Sequence, residues 1–140
     1  MEKNSFMGLI GIWKTTGEIK SGGTLLKLIG TDSYELILDG TFILHRADVE
    51  MGGERSETME IIKLDDSGRH ATMHYFNSKG ENGQMLGSII NSGFKIEGEG
   101  LRFNGTIKEE NTKISGKWSI RTETGEWEDF IDINLEKQTS

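Results

Sequence analysis

The sequence predicts an all-β chain folded as an antiparallel up-and-down β-barrel of about eight to ten strands, with a short N-terminal helix. Three observations predict it. Short runs rich in β-branched and aromatic residues follow one another from Gly11 onward, separated by Gly-, Asn- and Asp-rich turns at the spacing of a sandwich or barrel. Within these runs the side chains sort by parity into one wet and one dry face, as a barrel wall requires. The chain also holds 19 glycines and no proline. Glycine permits the positive φ of tight hairpins, and without proline every residue retains a backbone donor for a sheet ladder.

The elements follow in order. Ser5 to Ile10 reads as one helical turn capped by Asn4 or Ser5, with Phe6, Met7, Leu9 and Ile10 apolar, positioned to lie across one end of the barrel. Gly11-Ile12-Trp13 opens the first strand. Thr24 to Gly30 fits either a strand or a short helix, because Leu25, Leu26, Leu28 and Ile29 satisfy both periods. Ser33 to Leu38, Asp39-Gly40 and Thr41 to Met51 read as strand, two-residue type I′ turn and strand. Gly52-Gly53 reverses the chain into Ser56 to Leu64, Asp65-Asp66-Ser67-Gly68 into Arg69 to Phe76, and Asn77-Ser78-Lys79-Gly80 turns it again. Further strands are expected near Gln84 to Asn91, Phe94 to Glu97, Leu101 to Ile107, Lys113 to Arg121 and Glu126 to Glu136.

Alternation assigns the faces. Ile43, His45, Ala47, Val49 and Met51 share one side, as do Leu101, Phe103, Gly105 and Ile107. Ile114, Gly116, Trp118 and Ile120 oppose Lys113, Ser115, Lys117, Ser119 and Arg121. In the last strand strict alternation joins Trp127, Asp129, Ile131, Ile133 and Leu135, with Phe130 on the polar side. In Arg69 to Phe76 both sides are partly apolar, so one of them is a candidate contact for a second copy in a homodimer.

Composition bounds the function. A chain of 140 residues fits a single domain, 1–140, able to bury a core without staples. There is no cysteine, which excludes disulfides and thiolate chemistry and fits a reducing compartment. Met1-Glu2-Lys3-Asn4-Ser5 lacks a basic stretch leading into an apolar run, and no stretch has membrane-spanning length. The expectation is a cytoplasmic protein with no membrane partner. The net charge of −7, with lysine and arginine scattered, argues against nucleic acid.

With these residues placed, the chain resembles the lipocalin-like (calycin) superfamily. Gly11-Ile12-Trp13 is similar to its G-x-W signature. Leu38-Asp39-Gly40-Thr41-Phe42-Ile43-Leu44, Leu64-Asp65-Asp66-Ser67-Gly68 and Phe76-Asn77-Ser78-Lys79-Gly80 resemble a bacterial lipocalin-like family of unknown function in most of its order of elements. The resemblance implies a barrel with an interior pocket and carries no activity. A T-D-Y-like turn and a late arginine packed on the motif tryptophan are the superfamily's other signatures. The first has no clear counterpart, and Arg121, near Trp118, is the candidate for the second. Haem-binding relatives carry a Gly- and Pro-rich opening that this proline-free chain lacks.

Few residues are candidates for chemistry. His70 and His74 share a strand face, and their four-residue separation, roughly 13 Å of backbone, disfavours a shared metal. His45 falls on a dry face and reads as a hydrogen-bonded interior histidine, a polar contact in a pocket or, in a haem reading, an axial ligand. Asp129 interrupts an apolar face, where an unpaired carboxylate is costly. It either lies wet at the rim, is rotated outward by a bulge, or meets Arg46, Arg102, His45 or Tyr75 inside, where a raised pKa would make it a general base. The Gly-rich spots Gly22-Gly23 and Gly98-Glu99-Gly100 open no helix and so form no phosphate loop, and Asp65-Asp66-Ser67-Gly68 has too few ligands for an EF-hand.

Three functions compete. The first is a binding protein that takes a small hydrophobic or amphipathic ligand in the barrel interior, walled by Trp13, Trp118 and Trp127 and oriented by His45, Tyr75 and Asp129, with no metal or cofactor. The second is an enzyme on the same barrel, an isomerase, cyclase or hydrolase working through His45 or Asp129. The third is an oligomeric interaction module with a filled barrel.

Overall fold

The computed structural model of the protein describes residues 5–139. A single 3-10 turn, Ser5–Leu9, stands where the sequence predicts a short helix, and the expected cap Asn4 lies outside the described residues. Ten strands follow: β1 (Gly11–Ser21), β2 (Thr24–Ile37), β3 (Phe42–Met51), β4 (Glu54–Leu64), β5 (His70–Asn77), β6 (Asn82–Ile90), β7 (Gly93–Gly98), β8 (Leu101–Lys108), β9 (Lys113–Arg121) and β10 (Trp127–Lys137). Each pairs antiparallel with its neighbours in sequence, and β1 pairs with β10 to close the barrel. Closure removes the unpaired edges that an open sheet would expose.

Tight hairpins set this up-and-down order. Gly22-Gly23, Gly52-Gly53, Asn91-Ser92 and Glu99-Gly100 are two-residue turns with positive φ at both positions, matching the twist of the strands they join. Asp39-Gly40 departs from the expected two-residue turn. The strands pair only up to Ile37 and Phe42, so Leu38 to Thr41 forms a four-residue loop, closed by Gly40 N–H to Ile37 O (3.1 Å) and Thr41 Oγ1 to Leu38 O (2.6 Å). The ambiguous Thr24 to Gly30 stretch is strand. It is paired with β1 on one side and, from Leu28, with β3 on the other, and these ladders fix the extended backbone.

The barrel has a filled end and an open end. Phe6 and Leu9, fully buried, plug the end where β1 begins, against Trp13, Ile43, Ile62 and Met73, which are also fully buried. Trp13 Nε1 donates to Leu9 O at 2.8 Å and Lys137 Nζ donates to Gly8 O at 2.8 Å, tying the turn to β1 and β10. Lys137 Nζ also lies 5.0 Å from the centre of the Trp13 ring, so the cation on the motif tryptophan is this lysine. Arg121, at the end of β9, sits at the opposite, open end, beside Trp127.

A chain of aromatic contacts climbs one wall from the plug, Phe6 to Phe94 (6.1 Å between ring centres), Phe94 to Phe103 (5.5 Å) and Phe103 to Trp118 (5.2 Å). Glycine is required beneath it, since a Cβ on Gly116 would stand 2.5 Å from the Phe103 ring and one on Gly105 2.7 Å.

The last strand corrects the alternation. Asp129 pairs with Ser119 but Ile131 pairs with Trp118, so Phe130 is an extra residue that bulges β10 and reverses its parity. Ile131, Ile133 and Leu135 face the interior, whereas Trp127 and Asp129 lie on the outer wall. In β5 the two-sided ambiguity resolves with Ala71, Met73 and Tyr75 inward and His70, His74 and Phe76 outward.

Candidate functional site

Above the plug, the interior changes character. The inward residues of β3 run from Ile43 at the floor through His45 and Ala47 to Met51 at the open end, and from Ala47 upward they are half-buried rather than sealed. The same holds for Ser56 and Thr58 of β4 and for Trp118 of β9. The six residue steps from His45 to Met51 cover roughly 20 Å along the strand.

At the base of this mouth β2, β3 and β4 bring together Asp32, His45 and Glu60, each on the inward parity of its strand. His45 lies between the carboxylates. Its Nε2–H donates to Asp32 Oδ2 at 2.7 Å and its Nδ1–H donates to Glu60 Oε1 at 2.8 Å. The other oxygen of Asp32 accepts from the buried Thr15 hydroxyl. The Tyr34 ring stacks on the imidazole, 4.2 Å between centres and 3° from parallel. The side chains of His45, Asp32 and Glu60 are 15%, 11% and 10% exposed, and because the floor below is sealed, water reaches them through the mouth.

The electrostatics follow from this bracket. Burial is the largest influence on His45 and would lower its pKa, but the hydrogen bonds and charges of Asp32 and Glu60 together outweigh it and hold the pKa at about 10. The imidazole is therefore a cation at neutral pH with both N–H groups committed. It presents no lone pair to a metal or haem iron and no base to a substrate. Tyr34 is pushed well above its ordinary value by burial and by the same two carboxylates.

Glu60 is the asymmetric member. Its Oε1 holds His45, while its Oε2 accepts no hydrogen bond from the described residues and touches solvent, since the one fully buried unpartnered side-chain atom among them is Arg102 Nε. Across the sheet, the row His45, Glu60, Tyr75, Gly83 carries the polar band toward β6. Tyr75 donates its hydroxyl to Glu99 Oε1, and the Glu99 carboxylate, which also accepts from Gln84 N–H at 3.2 Å, occupies the space a Cβ on Gly83 would fill.

Of the residues singled out from sequence, His45, Tyr75 and Trp118 line the upper interior, and Trp13 forms the floor beneath them. Trp127 and Asp129 lie outside. Trp127 stacks on the Arg102 guanidinium at 4.0 Å, and Asp129 Oδ1 accepts from Ser119 Oγ at 2.6 Å. Tyr34 belongs to the aromatic set that the sequence offers for the core or a pocket lining, whereas Asp32, Glu60 and Thr15 are not singled out by sequence. Parity carried the signal: Asp32 continues the inward series Leu28, Gly30, and Glu60 stands between Thr58 and Ile62, so each is a carboxylate interrupting an inward face.

A trough of about 870 Å³ on the outer wall runs past Thr16, Glu18, Asn104, Ser115, Lys117 and Asp132. Several of its polar groups satisfy one another, as in Lys117 Nζ to Asp132 Oδ1 (2.6 Å) and Ser115 Oγ to Asn134 Oδ1 (2.8 Å). Among the described residues no helix is long and apolar enough to cross a membrane.

No family model matches the sequence, and no curated protein is similar to it at a significant level. Solved structures similar in fold include the following two. The crystal structure of Rv2717c from M. tuberculosis superposes with a TM-score of 0.73 at 10% identity, over 96% of this chain and 95% of that one. The S-type phycobiliprotein lyase CPES from Guillardia theta superposes with a TM-score of 0.55 at 8% identity, over 96% and 90%. At such identities the likeness speaks for architecture alone, and the architecture is a closed, lipocalin-like barrel of ten antiparallel strands.

Proposed function

We propose that this chain is a binding protein that takes a small hydrophobic or amphipathic molecule into the mouth of the barrel, apolar body against the upper wall and polar end on the Asp32–His45–Glu60 cluster. The observation that carries this reading is the unpaired, solvent-touching Glu60 Oε2 at the base of a half-buried, largely apolar interior. An apolar lining with a few convergent polar groups is the general form of a small-molecule site. The commitment of both His45 nitrogens, and the position of Asp129 on the outer wall, favour binding over acid–base catalysis by either residue.

Titration with the neutral fluorophore N-phenyl-1-naphthylamine tests it. Saturable enhancement at one site per chain is expected, and it is lost in Ala47→Trp, which fills the interior one step above His45. Thr16→Trp, on the outer trough, retains it. Absence of saturable binding, or equal binding by Ala47→Trp, overturns the proposal.

A further inference from the structure

The mouth has a charge preference, and this inference rests on the binding reading above. Its base holds two carboxylates and one imidazolium, and its rim holds the Glu99 carboxylate on Tyr75. Between the His45 level and the open end, the inward positions of β3, β5, β8 and β9 are occupied by Val49, Met51, Tyr75, Leu101 and Trp118, among others, and by no lysine or arginine. The basic side chain on the inward parity of β10, Lys137, is spent at the plugged end on Gly8 O and the Trp13 ring. Every N–H of the His45 side chain is committed, as is the Thr15 hydroxyl, so the base of the mouth has no free donor from these groups. What it has is a free acceptor, Glu60 Oε2, on a side chain nine-tenths buried.

We infer that the site selects ligands whose polar end is a protonated amine, donating to Glu60 Oε2, and discriminates against carboxylate-ended molecules such as fatty acids. An ammonium supplies the missing donor and balances the excess negative charge. A carboxylate brings a third anion into a low-dielectric site where no lysine or arginine receives it, only neutral hydroxyls such as those of Ser56 and Thr58. A hydroxyl donates without charge and falls between them. Because the carboxylate is already desolvated and fixed by His45, the amine meets a preorganised partner.

The test uses three probes of equal chain length, decylamine, decanol and decanoate, at neutral pH, read by Trp fluorescence and calorimetry on the whole protein. The expected order of affinity is decylamine, then decanol, then decanoate, with about tenfold or more between the first and last. Glu60→Gln keeps an acceptor oxygen and removes the charge. It is expected to shrink the amine-to-carboxylate ratio by about tenfold while leaving decanol within about threefold. Glu110→Gln, in the turn at the plugged end, makes the same change in net charge and is expected to leave the ratio alone, which separates the site from the field of the whole molecule. If all three probes bind alike, or decanoate binds best, the amine preference is refuted while the binding role stands. If none binds, both fall. The wild-type series decides this even where Glu60→Gln fails to fold.

Discussion

Raising the pH should dismantle the cluster from its centre. His45 has its pKa raised from 6.5 to about 10 in the folded protein, so the stability it contributes is fully present below about pH 6.5 and is lost as pH rises through about 10. A shift of that size corresponds to roughly 5 kcal/mol at most, of the same order as the 3–5 kcal/mol typical of breaking a buried ion pair. The perturbation is His45→Gln, which leaves one amide to serve two carboxylates and titrates nowhere in the range. Urea unfolding followed by Trp fluorescence, from about pH 6 to about pH 10.5, should find the variant less stable by about 3–5 kcal/mol at the acid end. The gap should close as pH approaches 10.5, because the wild-type imidazole then surrenders its proton and one of its two donors. Taking the difference between the two proteins cancels tyrosines and lysines that titrate nearby. Two stability curves that stay parallel across this range would refute the reasoning, as would an imidazole NMR titration with a midpoint near 6.5.

Two further outcomes are expected. Thr15→Val keeps the shape and removes the hydroxyl that Asp32 Oδ1 accepts from, and should cost about 1–3 kcal/mol, read as a lower urea midpoint with unchanged slope. Gly116→Ala puts a methyl group 2.5 Å from the Phe103 ring and 2.7 Å from the backbone oxygen of Asn104, and should lower stability by about 1–3 kcal/mol through overpacking; a melting temperature equal to wild type would contradict the close contact.

Most of the wall was legible because parity is a strict rule wherever one face is buried. Ile43 through Met51, Leu101 through Ile107 and Ile114 through Ile120 all present the faces that their alternation predicts. The rule failed where the chain breaks its own period. Phe130 adds one residue to β10, and no local signal distinguishes a bulged phenylalanine from a paired one, so strict alternation puts Trp127 on the inner face, whereas the carboxylate of Asp129 on an apolar face is itself the sign of the outward-rotating bulge that the strand contains. The site was half legible for a different reason. His45 drew notice as a rare residue on a dry face, but its partners lie 13 and 15 positions away in sequence, and only the pairing of β2 and β4 with β3 brings them to it. Inward carboxylates are visible in the sequence one strand at a time; their convergence is a property of register.

The nature of the cluster bears on why it is there. A buried ion pair seldom repays its desolvation better than well-packed apolar side chains of the same volume would, so its presence is weak evidence for a stabilising role. Here the plug and floor are built without such groups, from Phe6, Leu9, Trp13, Ile43 and Ile62, all fully buried. The charged residues sit one layer higher, where the interior ceases to be sealed. In a solid core, the spare oxygen of Glu60 would be a defect, an acceptor held by His45 at its other end and given no donor of its own. In a mouth open to solvent it is a fixed, partly dried acceptor awaiting a donor from outside. His45, protonated and doubly hydrogen-bonded, then acts as the positioning residue that holds Glu60 in place, and the reactivity that histidine usually brings to a pocket is used up in doing so.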